Sequence, residues 1–138
     1  MVKLIIGEKG SGKTKKLVAM VNDAAAASSG SVVCVEKGNV MTYDISHKAR
    51  LIDIEQYGVE GVDQFFGFVC GLCAGNYDIT DIFIDSTLKV CGKDMEKIAD
   101  LIEKLGALSE KNSVNFALSI SADASLIPER INAISENV

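Results

Sequence analysis

The chain has 138 residues, 48% of them apolar, and a formal net charge of −5 from 19 acidic and 14 basic residues. That length suits one domain, residues 1–138, with a single core and helices on both faces of a sheet. The acidic balance argues against broad contact with a nucleic-acid backbone, which needs a clustered basic face, and no run approaches the roughly 18 apolar residues of a membrane span.

In chain order, Val2 to Ile6 reads as a short buried strand, and GEKGSGKT, Gly7 to Thr14, follows it directly. From Lys13 to about Ala27 the apolar positions Leu17, Val18, Val21, Ala24 and Ala25 mark one helix face, which SSG at Ser28 to Gly30 ends. Ser31 to Glu36 is a second strand, rich in β-branched residues; KGNVMTYDISHK is polar and irregular. ARLIDI, ending at Ile54, predicts a weaker third strand, and a phenylalanine-bearing helix spans roughly Val62 to Ala74. Thr80 to Asp85 is a fourth strand. Met95, Ile98, Leu101, Ile102, Leu105 and Leu108 then mark a strongly amphipathic helix, and its Glu- and Lys-rich face, from Asp94 to Lys111, reads as solvated surface. Val114 to Ser121 is the fifth strand, and a last helix is expected near Pro128, the only proline. Strands alternating with helices predict a three-layer α/β/α sandwich around a mainly parallel, five-stranded sheet.

The glycine-punctuated stretch carries the chemistry. Gly7, Gly10 and Gly12 let the backbone curl with its N–H groups inward, and the helix opening near Lys13 adds unsatisfied N–H groups and the positive end of its dipole. Strand, GxxxxGK[ST], helix is the order a phosphate cradle requires. Glu8, Lys9 and Ser11 complete the loop; Lys13 would reach the β- and γ-phosphates, and Thr14 would offer its hydroxyl to Mg²⁺. The basic residues Lys9, Lys13, Lys15 and Lys16 coincide with this motif, so a mononucleotide accounts for them.

On these residues the chain resembles the P-loop NTPase superfamily, with Gly7 to Thr14 matching its Walker A pattern throughout. Ile82-Phe83-Ile84-Asp85 is similar to the Walker B strand, which implies that Asp85 holds Mg²⁺ through a water. The N/TKxD sequence that reads guanine is absent, as is the signature of transporter ATPases, so ATP is the expected nucleotide. Many ATPases of this type place Glu after the Walker B Asp; here the residue is Ser86. RecA-like members instead put a water-polarising Glu at the end of the strand after the P-loop helix, and Glu36 stands there, against the plainer reading of a strand-end Glu paired with a surface Lys. A RecA-like strand order would also set the fifth strand between the two Walker strands, with Ser119 and Ser121 as polar sensors near the γ-phosphate.

Only Arg50 and Arg130 are arginines, and each is a candidate finger supplied to a neighbouring subunit, salt bridges being the commoner use. His47, the lone histidine, lies in the polar loop and reads as solvated. The pair Cys70 and Cys73 has zinc-like spacing. It lies on a helical stripe without a matching second pair, so buried thiols are expected there and at Cys34 and Cys91. The apolar start is too short for a signal peptide, which makes the cytoplasm the expected compartment. The expectation is an ATP- and Mg²⁺-binding P-loop protein, a slow ATPase or a nucleotide-switched regulatory module, completed by a second copy or a protein partner. A small-molecule kinase with a thymidine-kinase-like core is the alternative, disfavoured by the scarcity of arginine.

Overall fold

The computed structural model describes residues 2–132 and 134–137. Six strands form one sheet: β1 (Val2–Gly7), β2 (Ser31–Glu36), β3 (Ala49–Asp53), β4 (Ile79–Ile84), β5 (Asn115–Ser121) and β6 (Ser135–Asn137). Their order is β3-β2-β4-β5-β1-β6, and every pairing is parallel. The helices are α1 (Lys13–Ala27), α2 (Gly61–Gly75), the short α3 (Thr87–Cys91) and α4 (Met95–Asn112). Among the described residues no helix is long and apolar enough to cross a membrane.

The helices cover both faces of the sheet, and the sequence explains how. On α1, Leu17, Val21 and Ala25 recur every four residues and are buried. Leu17 and Val21 meet Ile5, Val32, Cys34, Phe83 and Ala117 on one face. The opposite face carries the larger core, where Phe65, Val69 and Cys73 of α2 pack with Ile98, Leu101, Ile102 and Leu105 of α4 against Leu4, Ile84 and Leu118. With both faces covered, β2 is buried from Val32 to Glu36 and β5 from Phe116 to Ile120, the near-continuous burial typical of a parallel sheet.

Two expectations change. The sheet has six strands, not five, and is wholly parallel. The segment after Pro128 forms a single 3₁₀ turn at Glu129–Ile131 and then β6, in place of a helix; part of that expected helix falls on residue 133, outside the described residues. The physical reason lies in β1, whose free edge would otherwise leave unpaired backbone groups beside a buried strand; Val2 to Leu4 pair instead with Ser135 to Asn137. Ile131, 1% exposed, seats this turn in the core. Arg130 fastens it from outside, with contacts of 3.2, 2.8 and 2.9 Å to the carboxylates of Glu96, Asp100 and Glu103. Asp100, and after it Glu103, raise its already high pKa further.

Because all strands run the same way, every strand exit lies on one edge of the sheet. Asp53, Glu36, Asp85, Ser121 and the loop after Gly7 therefore line up along it, the edge at which open parallel sheets bind ligands.

Candidate functional site

The turn that leaves β1 is built around absent side chains. Gly10 and Gly12 sit at φ +85° and +88°, and a Cβ on Gly7 would fall 2.4 Å from Ser11 Oγ. Ser11 N–H closes the turn on Glu8 O at 3.1 Å, and Lys13 Nζ reaches back to the same carbonyl at 2.9 Å. Helix α1 then starts with no side-chain cap, no acidic residue in its first turn and three lysines, Lys13, Lys15 and Lys16. Its first N–H groups and its positive dipole end thus face the loop together with more positive charge.

Across from them lies Asp85, one residue past the end of β4 and 8% exposed. Its backbone N–H donates to Val35 O at 2.9 Å, which ties it to β2. Thr14 Oγ1 donates to the carboxylate, 3.2 Å from Oδ1 and 3.4 Å from Oδ2. Ser119 Oγ donates to Oδ1 at 2.8 Å, and Ser86 Oγ to Oδ2 at 3.1 Å. Ser119 can reach because β5 does lie between β1 and β4. Gly7, Glu8, Lys9, Gly10, Ser11, Gly12, Lys13, Thr14, Asp85 and Ser119 are thus brought to one place. Most of them line a cavity of about 880 Å³.

Sequence reasoning missed part of that cavity. Ser86, counted as a departure, holds φ +54° and opens α3 over the site, its N–H donating to Ser119 Oγ at 2.8 Å. Lys89 and Lys93 add cations to the wall, and Leu88, Ala122 and Leu126 an apolar surface. The available signal was their position directly after two strand ends in a parallel sheet.

Glu36 stands elsewhere. It is 2% exposed, on the strand beside Asp85, and its Oε1 accepts the N–H groups of Val40 and Met41 at 2.9 and 3.1 Å. So among the described residues no surface Lys pairs with it; it clamps the 37–48 loop. Its Oε2 is buried without a partner, as is Thr87 Oγ1; among the described residues these two are the buried side-chain oxygens left so. Cys34, between the two carboxylates, has its thiol pushed up to about 12 by burial and then by the charges of Asp85 and Glu36. Cys73 and Cys91 are also buried and Cys70 is on the flank of its helix; no group of three metal-ligating side chains forms among the described residues.

Arg130 takes the commoner use of a surface arginine, ion pairs with three carboxylates on α4. Arg50 and His47 line a different cavity from the glycine loop. No protein-family model matches the chain, and no curated protein matches it.

Proposed function

We propose that the chain is an ATP-binding protein of the P-loop type with a RecA-like core, acting as a slow Mg²⁺-dependent ATPase or a nucleotide-switched module. One observation carries this reading: an uncapped helix start, loaded with lysines and free of acids, opposite a hydroxyl–carboxylate pair. Without an anion, positive charge against a positive dipole end is unfavourable. With a triphosphate there, the N–H groups and Lys13 gain charge-assisted hydrogen bonds. Thr14 and Asp85 suit Mg²⁺, a hard cation that takes oxygen ligands and keeps several waters. Bound there, Mg²⁺ would neutralise charge on the phosphates; Ser119 and Ser86 fix the Asp85 carboxylate that faces it.

The strand order supports the RecA-like assignment, since β5 separates the strands bearing Gly7 and Asp85. Glu36 lies outside the cavity lined by the glycine loop, and its Oε1 holds Val40 and Met41, so water activation there would need its side chain to move. The test is MgATP binding by calorimetry, followed by phosphate release at several protein concentrations. Lys13→Ala should abolish binding with the fold intact; unchanged affinity removes the phosphate site. Glu36→Gln should suppress turnover and spare binding, and an undiminished rate makes Glu36 a loop anchor only. Turnover per molecule that rises with concentration would indicate completion by a second copy.

A further inference from the structure

The outer surface of α2 is unlike that of α4. From Gln64 to Tyr77 no residue is charged, although 24% of the chain is. The exposed positions along this stretch of α2 are Gln64, Gly67, Gly71, Ala74 and Gly75. A helix bordering water ordinarily carries charge there, as α4 does with Glu96, Lys97, Asp100 and Glu103. Glycine is a poor helix former, and a Cβ on Gly67, Gly71 or Gly75 would meet nothing within 4 Å. The chain's own packing therefore gives no reason for three glycines spaced one turn apart.

Beside this surface runs an apolar groove of about 440 Å³, between α2 and the edge strand β3. Ile52 and Tyr57 line it near the strand exits, Phe68 and Leu72 line its α2 side, and Asn76 and Ile79 line its far end. Arg50 is the one charged residue among the described residues that line it. It shares a face of β3 with Ile52, two residues on, and its side chain makes no hydrogen bond or ion pair among the described residues. In the turn that closes the far end, between Asn76 and Ile79, stand Tyr77, 91% exposed, and Asp78. The backbone of Asp78 is bonded to Asn76 and Ser31, but its carboxylate is unpartnered among the described residues. The β3 side of the groove thus offers a guanidinium and an exposed tyrosine, Tyr57, and the turn offers a carboxylate and a tyrosine.

We propose that this face joins two copies of the chain in a symmetric dimer. A two-fold axis crossing the groove at right angles to α2 sets the two α2 helices antiparallel. It also lays the Tyr77–Asp78 turn of each copy over the Arg50 and Tyr57 side of the other. Each Tyr77 enters the groove of the other copy, each Asp78 pairs with the other copy's Arg50, and the glycines let the two helix backbones approach closely. Charge singles out a second copy as the occupant. A chain of net charge −5 repels its own copies, so they meet best on an uncharged face whose two flanking charges are opposite and are brought together by the symmetry. The filler that the groove calls for, an aromatic ring beside a carboxylate, is carried by the chain itself where that symmetry requires it. No described residue lines both the groove and the glycine-loop cavity, so the dimer forms whether or not the ATP-binding reading holds.

The test is sedimentation equilibrium of the full chain over a wide concentration range, without nucleotide. The wild type should show a reversible monomer–dimer equilibrium with a micromolar dissociation constant. Arg50→Asp and Asp78→Arg should each weaken it about tenfold or more, and the double variant, with the charges exchanged, should recover most of the affinity. Gly71→Gln should remain folded, since its side chain has open space, and should be monomeric. Arg50, Gly71 and Asp78 are all exposed, and an unchanged circular dichroism spectrum verifies that each variant folds. A wild type that stays monomeric at every concentration overturns the dimer and leaves the groove to a different polypeptide. A dimer indifferent to Arg50→Asp or to Gly71→Gln, or a double variant no tighter than the single ones, overturns this interface.

Discussion

Helices α1 and α4 begin in opposite ways. Helix α4 has Asp94 as its cap, whose carboxylate accepts the N–H groups of Glu96 and Lys97, with Glu96 in the first turn and Lys111 in the last. Its charges follow its dipole and its open N–H groups are used. Helix α1 has a glycine in left-handed geometry where the cap should be, three lysines next to it and no acid. Both helices are anchored in the core by fully buried leucines, Leu17 on α1 and Leu101 and Leu105 on α4, so packing does not separate them. On the proposed function, one start serves the stability of the chain and the other serves a ligand that arrives from outside.

The largest expected effect of that difference is linkage. A ligand that binds only the folded chain at a hundredfold excess over its dissociation constant stabilises it by about 2.7 kcal/mol. MgATP should therefore raise the thermal midpoint of the wild type by several degrees and leave Lys13→Ala where it was. If both proteins respond alike, the lysines at α1 have nothing to do with the nucleotide. Next comes the cap itself. At Gly12 an added Cβ has open space around it, so Gly12→Ala isolates the conformational cost of φ +88°, about 1–2 kcal/mol. Denaturant titration should show that loss, and MgATP affinity should fall with it as the N–H groups turn away. A variant as stable as the wild type would mean that the loop relaxes freely and is not a fixed cradle.

The contrast between the two starts also marks what the sequence could disclose. Gly7 to Thr14 was legible because its geometry is local: glycine spacing, a strand before it and a helix after it. The strands from Val2 and Ser31 and the amphipathic stripe of α4 were legible for the same reason, through periodicity. Strand β6 was not, because Ser135, Glu136 and Asn137 have no strand preference of their own and pair only because β1 offers an edge. Likewise Glu36 was placed on its strand end from the sequence, but its partners, Val40 and Met41, come from a loop whose path only tertiary packing of Met41 and Ile45 determines. Ser86, Lys89 and Lys93 enter the site through the sheet's single direction, which appears only when all strands are assembled.

A smaller effect belongs to α4. Asp94→Ala removes a cap that holds two N–H groups and should cost about 1 kcal/mol of stability by denaturant titration. MgATP affinity should change little, since no residue of α4 lines the glycine-loop cavity and only Lys93, before its cap, does. A change in affinity would show that the two helix starts are coupled, and the contrast between them would lose its meaning.

The smallest effect is the most discriminating, because its two readouts move in opposite directions. Lys15 is exposed, lies in the first turn of α1 and lines the glycine-loop cavity. Lys15→Glu places a negative charge near the positive dipole end and gives the helix the acid that α4 already has. Without nucleotide, the variant should be more stable than the wild type by about 0.3–1 kcal/mol at low salt, and the gain should shrink as salt rises. With MgATP the same carboxylate repels the phosphates, so affinity should drop severalfold. A chain that merely tolerates lysines at this turn would gain stability and lose nothing. A chain that keeps them for a polyanion must show the gain and the loss together, and the crossing of those two measurements is what separates a helix awaiting a ligand from a helix poorly capped.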